Sequence, residues 1–444
     1  MNTAIETTKE LIRFIDKSPT AFQCVDTVAA MLDSAGFSML SAGNPWTLEP
    51  GKGYYTTVNR TTLIAFRMPL SAPTAFRITA SHSDSPTFAL KYEYESESCG
   101  RYMRLNTERY GGMIQSSWLD RPLSLAGRVI VKDGDGFTSR SVKIDKDLLM
   151  IPNVAIHLNR TINEGYKYNP AVDLMPLFGG KDAKGKLKAI IAETAGVDPD
   201  SILSMDLYLY CRTPGTVWGA EDAFFSAPRI DNLMCAYGTL RGFLDAAPAK
   251  DDSMVSVYAV FDNEETGSST KQGAGALVFR DVLERIAESA KADVRRMLAS
   301  SFMVSADNAH ARHPNHPELS DAQNAPYMNE GIVIKLNASQ KYATEALSSA
   351  LFSEICRRAD VPVQRFSNRS DMLGGSTLGS ICDTFVPLLT VDIGMAQLAM
   401  HSCYETAGTL DTEYLVRAMK EFYETEICSD RDGMFTIASK KSEG

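Results

Sequence analysis

Histidine is scarce in this chain, at six among 444 residues, so a site built on imidazole has few candidate positions. The eight cysteines (Cys24, Cys99, Cys211, Cys235, Cys356, Cys382, Cys403 and Cys428) are scattered, with no CxxC pair. That excludes a disulfide framework in so large a chain and points to reduced thiols in a reducing, cytoplasmic compartment. No segment approaches about 18 uninterrupted apolar residues, which excludes a membrane-spanning helix. The opening MNTAIETTKELIRF carries acids and has no apolar h-region, so it does not read as a signal peptide. There is no long basic run, and 45 Lys+Arg stand against 55 Asp+Glu, a net charge of -10. Nucleic acid is excluded as the main partner, because neutralising phosphates needs a basic face. An acidic substrate would have to be drawn by a locally focused field.

What is present is ordinary for a globular protein: 44% hydrophobic and 23% charged residues. The length is too great for one core and implies two domains. Ile5, Leu11, Ile12 and Ile15 recur at helical spacing. Ser18-Pro19 reads as an N-cap and first turn of a second helix, with Phe22, Val25, Val28, Ala29 and Leu32 on its apolar face and Gly36 at its end. From about Tyr54 the pattern becomes strand-like, at 62–66 and 75–79. Residues 91–219 hold strand candidates at 128–131, 148–151 and 206–210, punctuated by Gly111-Gly112, Asp133-Gly134 and Gly179-Gly180. After Pro228, strands at 255–261, 302–304 and 386–391, the last weakened by Pro387, alternate with amphipathic helices at 278–298, 344–359 and 412–425. Such alternation means a parallel sheet covered by helices. The fold expected is α/β, with a mostly parallel central sheet and flanking helices. It comprises residues 1–91 and 220–444 and is split by a β-rich insertion at 92–219. Residues 439–444 are expected to fray.

Candidate chemistry gathers at strand ends. His82 and Asp84 follow a strand two residues apart, the spacing of a ligand and its orienting carboxylate, though a capped turn would look the same. Asp231, in Arg229-Ile230-Asp231-Asn232, opens an apolar helix and by itself reads as an N-cap. Glu264 and Glu265 follow the most apolar strand. Adjacent acids there are costly unless a cation balances them or the turn is solvated. Asp307 and His310 follow another strand, and His401 follows the last. His157, between Ile156 and Leu158, reads alone as a core histidine. Taken together, His82, Asp231, Glu265, Asp307 and His401 are mixed nitrogen and oxygen donors suited to zinc or a similar divalent ion. Two histidines and three carboxylates suffice for two ions if Asp231 bridges them.

In order along the chain stand HSDSP, RIDN, DNEETGS, SADNAHA with HPN, GGSTLG and QLAMHS. Together these blocks resemble the aspartyl aminopeptidase family of two-metal peptidases, over nearly the whole chain. The resemblance implies a catalytic α/β domain with an inserted β-rich dimerisation domain. It also implies assembly into dimers and a tetrahedral dodecamer, and peptide substrates with a free, acidic N-terminal residue. His82, Asp231 and Asp307 would hold one metal ion; Asp231, Glu265 and His401 would hold the other. Zinc comes first among the metals, with manganese or cobalt also suited. Glu264 would be the general base and Asp84 the support of His82. His157 matches a histidine that reaches into a neighbouring subunit's site. Lys335 matches the basic contact to the acidic side chain, and Tyr342 a family block beside it. His310 and His313 become substrate-side or supporting groups.

Two other readings compete. One is a two-metal aminopeptidase preferring neutral residues, because the pocket lining is not separable by sequence. The other is a non-catalytic self-assembling scaffold, which predicts an eroded site; here every ligand position and the base is an acid or a histidine.

Overall fold

Strands Ala75–His82 and Met254–Phe261 are buried at every position, which suits only the middle of a sheet covered on both faces. They lie there in the computed structural model of the chain, which describes residues 2–247 and 249–438. From one edge, the nine strands run Ser38–Met39, Gly53–Val58, Thr62–Arg67, Met254–Phe261, Ala75–His82, Phe302–Ala306, Leu389–Gly394, Ile332–Lys335 and Val363–Phe366.

The expectation of a mostly parallel sheet is met in part: five of its eight pairings are parallel and three are antiparallel. Met254–Phe261, Ala75–His82, Phe302–Ala306 and Leu389–Gly394 are mutually parallel. Outside them, Thr62–Arg67 is antiparallel to both its neighbours, and Ile332–Lys335 is antiparallel to Leu389–Gly394. The first reversal follows from a hairpin. Val58 pairs with Thr62 across a short turn in which Asn59 and Arg60 take φ of 56° and 61°. A connection that short can only bring the chain back antiparallel.

Side chains of the central strands alternate between two apolar layers. Tyr258 and Val260 meet helices Ala21–Ser34, Ile230–Asp245 and Asp411–Glu424 through Leu32, Leu240 and Phe422. Val257, Ala259 and Phe261 meet helix Val278–Ser289 through Phe279 and Ile286. Full burial of a side chain such as Phe261 stabilises by about 1.5–3 kcal/mol. These layers hold the strand ends rigid.

Several local readings shift. The second helix starts at Ala21, with Thr20 at the N-cap position and its hydroxyl donating to Gln23 Oε1, so Ser18-Pro19 lies in the turn before it. The helix read at 278–298 is two, Val278–Ser289 and Val294–Ala299, because Asp293 caps the second by accepting from the Arg295 N–H. The last central strand begins at Leu389, beyond Pro387, which has no N–H to pair. The segment 148–151 makes only isolated bridges at Leu149, Met150 and Ile151.

A second sheet has six strands, ordered Gly136–Lys143, Leu123–Asp133, Ile202–Cys211, Thr87–Ser98, Tyr102–Tyr110 and Leu177–Gly180. All its pairings are antiparallel, over an apolar cluster that includes Phe88, Leu105, Trp118, Leu125 and Leu207. A third sheet joins Thr216–Trp218, Phe224–Ala227, Glu405–Gly408, Ala396–Leu398 and Ala309–His310. Among the described residues, no helix is long and apolar enough to cross a membrane. Residues 439–444, expected to fray, lie outside them.

Candidate metal centre

Register brings the strand-end residues together. Phe261 pairs with His82, and Ala80 pairs with Ser305, on three adjacent parallel strands. His82, the loop from Asp262 to Glu265 and Asp307 therefore leave the sheet at one edge, the carboxyl edge where open α/β sheets bind ligands. Asp231 arrives from the start of helix Ile230–Asp245. It caps nothing, against the simpler reading. Asp231 and Asn232 have non-helical backbone angles, and the carboxylate turns to the histidines instead. His401 arrives on a turn after Ala396–Leu398, at φ 66°.

Asp231 spans the two imidazoles. Its Oδ1 is 3.5 Å from His82 Nε2 and its Oδ2 is 3.4 Å from His401 Nε2. Asp307 Oδ1 stands 3.5 Å from the same His82 nitrogen, and Glu265 Oε1 stands 3.4 Å from His401 Nε2. One donor atom each from His82, Asp231 and Glu265 fall within 4.8 Å of one another. These separations are long for hydrogen bonds. Two ligands about 2.0–2.1 Å from one zinc, at a tetrahedral angle, stand about 3.3–3.4 Å apart. Asp231 Oδ1 and Glu265 Oε1 are buried without a hydrogen-bond partner among the described residues. Orphaned carboxylate oxygens beside imidazole nitrogens fit a divalent ion.

Comparison with known proteins agrees with that chemistry. A family model described as aminopeptidase I zinc metalloprotease (M18) matches residues 14–423. The chain belongs to the M18 family of zinc aminopeptidases. A probable M18 family aminopeptidase 2 of Clostridium novyi is 43% identical over 436 residues, covering 95% of this chain and 100% of that protein. The counterpart in Pseudomonas savastanoi pv. phaseolicola is 35% identical, covering 93% of this chain and 97% of its own. Among solved structures, the Ape4 and Nbr1 complex has a matching chain at TM-score 0.92 and 34% identity, covering 95% of this chain and 86% of that one. The S. cerevisiae mApe1 dodecamer matches at TM-score 0.84 and 28% identity, covering 95% and 97%. The resemblance read from the ordered blocks holds at the level of the family and its zinc hydrolase class.

Electrostatics in this M18 site are those of an excess of acid. Burial pushes the Glu264 carboxyl up to about 8, with Asp307, Asp84 and Asp231 adding to it against the pull of His82. Burial and Asp231 push Glu265 well above its usual range. Burial lowers both imidazoles, but Asp231, Asp307 and Asp84 hold His82 well above its ordinary value, and Asp231 raises His401. A divalent cation would relieve all four at once.

Asp84 is a hub. Its Oδ1 accepts from the Glu264 N–H at 3.2 Å, and its Oδ2 accepts from the Glu265 N–H at 3.1 Å. His82 Nδ1 lies 3.1 Å from the Asp84 backbone carbonyl and 3.4 Å from Oδ1, so this one residue orients the ring through its carbonyl and both glutamates through its carboxylate. Lys335 is not solvated: it is 3% exposed, its Nζ 3.3 Å from Asp307 Oδ2 and 5.6 Å from the Tyr342 ring centre. His310 stands exposed to solvent beside this group.

Two candidates stand apart. His157 is no core histidine; it lies on an exposed stretch and has no hydrogen-bond, ion-pair or ring partner among the described residues. His313 is exposed and engaged with the Asn315 N–H and the His316 ring.

Sequence reasoning missed Glu405 and Tyr110. Glu405 is buried and accepts from the Asp231 N–H at 3.0 Å and the His401 N–H at 2.8 Å, fixing the backbone of both residues. Burial, then the Asp231 charge, pushes its carboxyl up to about 8. Its only signal was an acid four residues after His401. Tyr110 donates to Asp84 Oδ2 at 2.6 Å from the six-stranded sheet, and its only signal was the glycine turn that follows it.

Proposed function

We propose that the chain removes single residues, preferably Asp or Glu, from the N-termini of peptides, using two divalent ions per subunit, zinc first and manganese or cobalt also suited. The observation that carries this is the Asp231 carboxylate shared between His82 and His401, with orphaned oxygens beside it. His82, Asp231 and Asp307 hold one ion; Asp231, Glu265 and His401 hold the other. When bound, such a pair makes a water acidic enough to yield hydroxide near neutral pH and polarises the scissile carbonyl.

The chain's own residues do the rest. Glu264 takes the proton of the attacking water on its carboxylate and returns it to the nitrogen of the departing amine. Asp84 keeps His82 and the Glu264 backbone aimed. Lys335, with Tyr342 and His310 beside it, receives the acidic side chain, and His157 reaches a neighbouring subunit's site. We assign residues 1–91 and 220–444 to catalysis and 92–219 to an inserted dimerisation domain, within dimers that build a tetrahedral dodecamer. Exposed Leu158 and Val172 in that insertion, and a dodecameric structural relative, support self-association. Eight free thiols support a cytoplasmic setting.

A second reading, a preference for neutral residues, draws on the Lys335–Asp307 pair. An ammonium already engaged has less charge to offer an acidic side chain. Hydrolysis of Asp-, Glu- and Leu-anilides, before and after chelation and zinc restoration, tests both. Chelator-sensitive release of Asp and Glu ahead of Leu is expected. Leu ahead would discard the specificity alone. No release with any metal would bring the non-catalytic scaffold forward.

A further inference from the structure

The six-stranded sheet reaches the metal centre through residues 110–117, which lie beside the start of its strand Thr87–Ser98, three residues after Asp84. Tyr110, the last residue of Tyr102–Tyr110, donates its O–H to Asp84 Oδ2 at 2.6 Å and accepts from Asn263 Nδ2 at 2.8 Å. At Gly111, φ is +73°, and an added Cβ would stand 3.1 Å from the Cβ of Glu265. The Ile114 N–H donates to the His401 carbonyl at 3.0 Å, and Ser117 Oγ accepts from the Cys403 N–H at 2.8 Å. One side of the centre is thus held through Asp84 and the other through the turn that carries His401.

We propose that residues 110–117 form a strap that makes the inserted sheet part of the metal centre, with Tyr110 as its principal positioning residue. This rests on the metal-dependent peptidase reading above. The chemistry is that of an outer carboxylate and its donor. Asp84 is buried and orients His82, Glu264 and Glu265, and among its hydrogen bonds only that from Tyr110 comes from the second sheet. Asn263, at φ 61°, immediately precedes the two glutamates, and its side chain is held between Tyr110 and Thr270. One phenol therefore steadies both the carboxylate and the backbone of the candidate base. Burial, with Asp84 and Asp262 nearby, pushes the phenol up, so it remains a donor at neutral pH. Loss of such a partner costs about 10–100-fold in metal affinity or activity.

Tyr110→Phe keeps the ring, including its edge-on contact with Tyr208 at 5.7 Å, and removes the hydroxyl. Zinc affinity would be read by competition with a chromophoric chelator, alongside kcat and KM on the anilide the wild type cleaves best. Tyr110→Phe is expected to bind zinc about 10–100-fold more weakly and to lose kcat with KM little changed. Tyr208→Phe, which alters the same sheet without touching Asp84, should keep both. A folded Tyr110→Phe protein with wild-type zinc affinity overturns the strap, even if its melting temperature drops, because a merely structural tyrosine would behave that way. The wild type binding zinc and cleaving in the same assay leaves the peptidase reading standing; a wild type that does neither ends both. Should Tyr110→Phe fail to fold, Ser117→Ala tests the other end: weakened zinc binding supports the strap, and unchanged binding overturns it.

Discussion

The central sheet and the six-stranded sheet use their strands differently. Ala75–His82 and Met254–Phe261 are buried throughout, and large fully buried side chains such as Phe243, Phe261 and Phe279 fill the layers on either side. Gly136–Lys143 is exposed at half its positions, and around it the second sheet and its loops leave Tyr92 at 84%, Leu158 at 83%, Phe137 at 72% and Val172 at 66% exposure. A closed two-layer core holds reacting groups at fixed strand ends. A sheet with one open face and exposed apolar side chains waits for another surface. On the proposed reading, chemistry belongs to the first region and assembly to the second, with the proposed strap at 110–117 between them.

The sharpest way to break that division is at the shared carboxylate. Asp231→Asn should lose zinc and reduce anilide hydrolysis to background; metal analysis showing full zinc in the purified variant would refute the bridging role. Next comes Glu264→Gln, expected to lower kcat about 10²–10⁴-fold while zinc content stays at the wild-type level. An active variant would remove Glu264 from the mechanism.

A milder effect separates the regions by pH. Glu264 and Glu405 are pushed up to about 8 by burial and neighbouring acids, so from about pH 4.5 the metal-free fold keeps protons that the unfolded chain has released. His82 and His401, also raised, act in the same sense above about 6.5. Stability of the chelated protein should therefore fall as pH rises from about 4.5 to about 8. Asp231, held low by the two histidines against its burial, opposes this only in acid. Zinc should flatten the decline. Melting temperatures across that range, with chelator and with zinc, decide it; identical slopes would mean the acids do not meet a metal.

The smallest effect on chemistry belongs to the open sheet. Leu158→Asp should lower the particle mass in light scattering while zinc content stays at the wild-type level. Unchanged mass would place the assembly surface elsewhere. A loss of zinc would show that assembly and metal binding are one event.

Much of this was legible in residue order. The short apolar runs marked the central strands, and the acids and histidines just beyond them marked the site, because strand ends are where buried backbone meets solvent. Sheet direction was less legible. Hairpin geometry at Asn59 and Arg60, set by two left-handed residues, turned the flanking strands antiparallel. Asp231 read as a cap because its local neighbours are helical; its actual partners, His82, His401 and Glu405, are remote in sequence.

The sequence by itself determined the donor types, their order, the family and the class of chemistry. Those depend on which side chains exist and on local periodicity. Only the tertiary structure decided that one Asp231 carboxylate lies between two histidines, that Lys335 is buried against Asp307, that His157 stands exposed, and that Tyr110 and Glu405 hold the centre from outside. Most of these depend on contacts between residues distant along the chain, set by strand register and by how the sheets pack, which no local pattern encodes.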